Sequence, residues 1–115
     1  MLYHIKPEYL AVWGEDATTD TIITEQELND ICRGWECDPS EVKHQLLTIP
    51  GMNLCVTSSN TRFGSRFPVC TSSAMKVANE IGRWEYGETF TIYSPTGKAL
   101  SKVIWSPTGY YRVNT

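Results

Sequence analysis

The sequence predicts an α+β fold: an acidic helical N-terminal half packed on a helix plus a three-stranded antiparallel meander. Three observations carry it. Two capping boxes, Thr24-x-x-Glu27 and Asp38-x-x-Glu41, open apolar stretches of helical period in the first half. The tetrapeptide Ser-Pro-Thr-Gly stands at 94–97 and again at 106–109, the spacing of two tight reversals between three strands. With 41% hydrophobic and 20% charged residues, the 115-residue chain has an ordinary globular composition and can bury a core without metal or disulfide staples.

Residues 2–5 read as a short strand, and Pro7 then suits the first position of a helical turn through Tyr9, Leu10 and Trp13, stopped by Gly14. Residues 15–20 are polar and read as a loop, and Thr21-Ile22-Ile23 as an extended lead-in. Behind Thr24 the residues Leu28, Ile31, Cys32 and Trp35 form one apolar helical face. Asp38 starts the next helix, with Pro39 at its first position. Cys37 and Val42 have the spacing of a hydrophobic staple, and Val42, Leu46 and Leu47 continue the buried face as far as Pro50-Gly51.

From Asn53 the pattern changes. Leu54-Cys55-Val56 reads as a buried strand, followed by a polar stretch at 57–61, so the best internal boundary of a single domain divides a helical half, about 1–52, from a helix-plus-sheet half, about 53–115. Thr71-Ser72-Ser73 can cap a helix running to about Trp84, with Ala74, Val77, Ala78, Ile81 and Trp84 on one face. Strands at 89–93, 99–105 and 109–113 follow. Leu100, Val103 and Trp105 break strict alternation, which predicts a bulge near Ser101-Lys102.

Charge is divided between the halves. Residues 1–56 hold ten acids against three bases, and residues 57–115 hold seven bases against three acids. Such polarity fits a two-faced binding protein, or two halves that attract each other in the folded domain. The start of the chain lacks the apolar core of a signal peptide and no run approaches the length of a membrane span, so the expected setting is cytoplasmic, without a membrane partner. The four cysteines, Cys32, Cys37, Cys55 and Cys70, form only one close pair and match no common zinc spacing. They read as reduced thiols, with no metal and no cofactor.

Residues 27–46 resemble a helix-turn-helix: Cys32 falls where that motif often has alanine, and Cys37 and Val42 fall on its apolar positions after the turn. The pattern departs at Glu36, which takes the turn position usually held by glycine, and in its acidity, whereas phosphate binding needs a cationic face. The resemblance implies that Lys43, His44 and Gln45 would face base edges. More loosely, the stretch from Ile23 to Leu47 resembles small bacterial proteins of unknown function, some carried by phages and mobile elements. The segment Cys70-x5-Lys76 resembles the cysteine-x5-arginine loop of cysteine phosphatases, with lysine in place of the arginine and no loop glycine.

No P-loop, dinucleotide fingerprint or paired-histidine helix is present, and the expected function is non-enzymatic: protein–protein contact, as an inhibitor or adaptor. The acidic half supplies Glu25, Asp30, Glu36 and Asp38 as candidate contacts, with carboxylates standing in for phosphates toward a basic, nucleic-acid-binding partner. The alternative is a nucleic-acid-binding regulator. It would use Lys43 of the helical hairpin, or Arg83, Tyr86, Lys98, Lys102, Tyr110 and Arg112 of the basic, aromatic half.

Overall fold

A computed structural model describes residues 1–13, 22–58, 65–81, 87–106 and 109–113. Mixed α+β architecture is present, with two antiparallel sheets. The order is β1 (Leu2–Ile5), a 3-10 turn (Pro7–Tyr9), α1 (Leu10–Trp13), β2 (Ile22–Ile23), α2 (Glu25–Gly34), α3 (Pro39–Val42), a second 3-10 turn (Lys43–Gln45), β3 (Leu46–Ile49), β4 (Asn53–Thr57), β5 (Arg66–Val69), α4 (Ala74–Ile81), β6 (Thr89–Tyr93), β7 (Ala99–Ser106) and β8 (Gly109–Val113). The first sheet runs β2-β1-β3 and the second β5-β4-β6-β7-β8. Principal extents of 48 × 23 × 23 Å describe two lobes end to end.

The N-terminal lobe has the expected strand at Leu2–Ile5 but departs from the expected helical half after Val42. Leu46 to Ile49 pair with β1 as a strand, with Ile5 opposite Leu46 and Leu2 opposite Ile49. A short apolar run fits either structure by period alone. Here α3 stops at Val42, and Thr48 and Ile49 bring β-branched side chains that favour extended backbone. One face of this sheet, through Tyr3, Ile5, Ile23 and Leu46, packs on Trp13, Leu28, Cys32 and Val42. Trp13 is 1% exposed. Its indole N–H donates to Gln45 Oε1 at 2.7 Å, and its ring meets Trp35 edge-on at 4.9 Å.

In the C-terminal lobe the expected meander β6-β7-β8 is present, widened to five strands by β4 and β5. Strand β5 escapes sequence reading because Pro68 sits in its middle, opposite Leu54. The Thr57 N–H donates to Ser65 O at 2.8 Å, so along the ladder Pro68 takes a position whose N–H would point away from β4. A proline there costs no ladder bond and blunts the sheet edge. The register shifts between Ile92 and Tyr93, which pair with Ser101 and Ala99. Leu100 is thus the extra residue of a bulge, one position from that expected.

Helix α4 covers one face of this sheet, with Ala74, Val77 and Ala78 on Cys55, Phe67, Phe90, Ile92 and Val103. The helix residues expected beyond Ile81, Trp84 included, lie outside the described residues. A third, small cluster of Leu2, Ile22 and Leu54, flanked by Ile49, Met52, Val56 and Tyr93, joins the two lobes.

Candidate functional site

Both capping boxes form. Thr24 Oγ1 accepts from the Glu27 N–H while Glu27 Oε1 accepts from the Thr24 N–H, and Asp38 and Glu41 reciprocate at α3. Between the two helices the chain reverses in a Schellman turn: the Cys37 N–H donates to Cys32 O at 3.0 Å, the Glu36 N–H donates to Arg33 O at 3.2 Å, and Glu36 lies at φ 56°. This left-handed position is where glycine is favoured, and it is the position at which the sequence departs from the helix-turn-helix pattern. Glutamate there costs about 1 kcal/mol relative to glycine. The second helix is four residues followed by a 3-10 turn, on which Lys43 is exposed and the His44 ring leans on Tyr9 at 5.7 Å.

The four candidate acids are not one patch. Glu36 and Asp38 are exposed at this turn together with Glu41. Glu25 lies at the far end of α2, paired with the Met1 amino group. Asp30 projects from the middle of α2, 3.6 Å from Arg33, both exposed. Asp38 accepts from the backbone N–H and the hydroxyl of Ser40, and the first of these chiefly holds its carboxyl below the ordinary 3.8. Because the folded value is depressed, the stabilisation is present in full above the unfolded value and is lost as pH falls through the folded one. Relative to an Asp38→Asn variant, which keeps an uncharged cap, the wild-type chain is expected to lose stability as pH is lowered from about 6 to 3. Paired urea melts would show it, and a pH-independent difference would contradict it.

Of the basic candidates, Lys98 is exposed beside the first Ser-Pro-Thr-Gly turn. Lys102 is half-exposed opposite Thr91, on the sheet face away from α4. Arg83 and Tyr86 lie outside the described residues, as do the side chains of Tyr110 and Arg112 on β8.

Among the described residues, Arg66 of the basic half pairs with an acid of the acidic half, the attraction between halves that the charge division allows. The Arg66 side chain, 14% exposed, pairs through its guanidinium with Glu27 Oε1 and donates from Nε to Ile22 O at 3.1 Å. The Glu25 N–H donates to Pro95 O at 2.9 Å, tying the start of α2 to the turn at 94–97. Around these links lies an interlobe cleft of about 270 Å³, walled by Thr24, Gln26, Glu27 and Asp30 on one side and Leu54, Val56, Arg66, Tyr93 and Gly97 on the other. The sequence hints at an attraction between the halves and at no particular pair.

A second groove, of about 610 Å³, runs between β5 and α4 over Phe67, Val69, Val77 and Ile81, with Cys70 and Lys76 at its sides. Cys70 is exposed, with its Sγ 3.4 Å from Met52 Sδ. At the start of α4 the Ala74 N–H donates to Ser101 Oγ and the Lys76 N–H to Ser73 Oγ, and just ahead of it the Ser73 N–H donates to Thr71 Oγ1. These donors are thus already engaged rather than open to an anion. Burial pushes the Cys55 thiol up to about 12. Burial, aided by the Cys37 thiol, pushes Cys32 up to about 11.

The described residues contain no group of three or more His, Cys, Asp or Glu placed to hold a metal ion, and no helix long and apolar enough to cross a membrane. No family model matches the chain, and neither the curated proteins nor the solved structures give a match.

Proposed function

We propose that this chain is a small, non-enzymatic binding protein that works by protein–protein contact, presenting the acidic turn between α2 and α3 to a basic partner. The observation that carries this reading is Glu36. The turn requires a left-handed residue, glycine would fill it at lower energy, and the chain holds a carboxylate there beside the exposed Asp38 and Glu41. Strain of this kind at a non-glycine residue is characteristic of functional positions. The Schellman bonds at the end of α2 and the Asp38–Glu41 capping box fix the turn, so its carboxylates are ordered before binding and less conformational entropy is lost on contact. Against a nucleic-acid-binding partner, carboxylates held in this way would stand in for phosphates. An inhibitor or adaptor role of the kind found in phages and mobile elements would follow from that.

Glu36→Gly separates fold from function. The variant is expected to be more stable by about 1 kcal/mol in urea melts and to bind its partner less well, whereas a gain in both would refute the reading. Affinity capture from lysate, with and without nuclease, is the wider test. A protein partner should survive nuclease treatment and be lost, by about tenfold or more, when Glu25→Gln, Asp30→Asn, Glu36→Gln and Asp38→Asn are combined.

The second reading, a nucleic-acid-binding regulator, is favoured by the half-exposed Lys102 on the sheet face away from α4, with Lys98 near one end of its strand and Tyr93 on the neighbouring strand. It predicts recovery that depends on nucleic acid and weakens steeply with salt.

A further inference from the structure

We infer that the interlobe cleft is the seat for an arginine side chain of the partner. This inference rests on the protein-binding reading and names the group that would be recognised. Among the described residues that line the cleft, the one cation, Arg66, is already committed to Glu27 Oε1 and Ile22 O. What remains on the walls is rich in acceptors. Among the described residues Glu27 Oε2 takes no partner, Asp30 has only its loose contact with Arg33, and the Gln26 amide is exposed. The described lining thus sets two carboxylates, Glu27 and Asp30, against the Arg66 guanidinium, with exposed Arg33 beyond the lining 3.6 Å from Asp30.

Its floor is of another kind. Leu54 is buried, Val56 is half-buried, and the Tyr93 ring stands beside them. An occupant must therefore combine an aliphatic stem with a cationic, donor-rich head. Arginine has that form: its methylenes lie along apolar surface, its planar head matches carboxylates and stacks on aromatic rings. At about 270 Å³ the cleft is smaller than the pockets of drug-sized ligands, which begin at roughly 300 Å³, and suits a single side chain. Asp30, already in question as a candidate acid, thereby acquires a role distinct from that of Glu36 and Asp38.

The test is an amide chemical-shift titration of the full chain with Nα-acetyl-arginine methylamide, and with the matching citrulline compound, which is isosteric and uncharged. Saturable shifts confined to residues 24–30, 54–56 and 93–97 are expected with the arginine compound alone. Asp30→Asn is expected to weaken the binding about tenfold while leaving the remaining spectrum in place. An equal response to citrulline, or shifts that gather at 36–41 instead, would overturn the inference. In the latter case the acidic turn could still bind its partner and the proposed function would stand. Shifts in the cleft, combined with capture indifferent to Glu36→Gly, would uphold the cleft and remove the turn.

Discussion

Trp13→Ala is expected to destabilise the chain by about 4 kcal/mol, the largest effect of any single truncation in the N-terminal lobe. The ring is almost fully buried, joins α1 to the core beneath α2, and meets Trp35 edge-on, so its removal leaves a large cavity among Leu28, Cys32 and Val42. Truncation also strands Gln45 Oε1, which loses the indole donor. Trp13→Phe isolates that second part: a ring remains, the hydrogen bond does not, and the loss is expected near 1 kcal/mol. Thermal melts followed by circular dichroism would check both. At this chain length the alanine variant should melt roughly 15 °C lower, and a drop within a few degrees of wild type would show that the indole is not a keystone of this core.

Gly97→Ala is expected to cost about 3 kcal/mol for two independent reasons. The residue lies at φ +108°, where an L side chain is strained, and a Cβ built there would stand 2.8 Å from Gln26 Cβ and 2.8 Å from Gln26 Oε1. The turn itself is well determined: the Gly97 N–H donates to Ser94 O and the Lys98 N–H to Ser94 Oγ. Relief would therefore come by moving α2 away from the turn, which breaks the bond from the Glu25 N–H to Pro95 O and widens the cleft. Amide exchange should quicken first at Glu25, Gln26 and Gly97 and leave the core strands β4 and β6 protected. Uniform acceleration across both lobes would show that the seam does not open separately.

What was legible in the sequence was chiefly local. The capping boxes at Thr24 and Asp38, the apolar face of α2, the first Ser-Pro-Thr-Gly turn and the strands after Thr89 each depend on residues a few positions apart, and each is present. Strands β3 and β5 were not readable for opposite reasons. Leu46-Leu47-Thr48-Ile49 continues a helical pattern until β1 supplies a partner from forty residues earlier in the chain. Pro68 argues against a strand unless the strand is known to lie at an edge. The candidate site divides the same way. The acidity and the anomaly at Glu36 stand in the sequence. The Arg66–Glu27 pair and the cleft around it depend on tertiary contacts between α2 and β5, which no spacing along the chain encodes.

The hydroxyl of Ser101 bears on the order in which the C-terminal lobe assembles. It accepts the N–H of Ala74 and donates to Ser72 O, so the entry of α4 is fastened by a residue of β7, 27 positions downstream of that N–H. Eight residues are too few to hold a helix in isolation. Local caps from Thr71 and Ser73 start helix α4, but the Ala74 N–H gains its partner once β7 has paired with β6 and the Leu100 bulge has brought Ser101 into register. This arrangement predicts that folding of the lobe is paced by closure of a long-range β pairing, with the helix completing the structure rather than nucleating it.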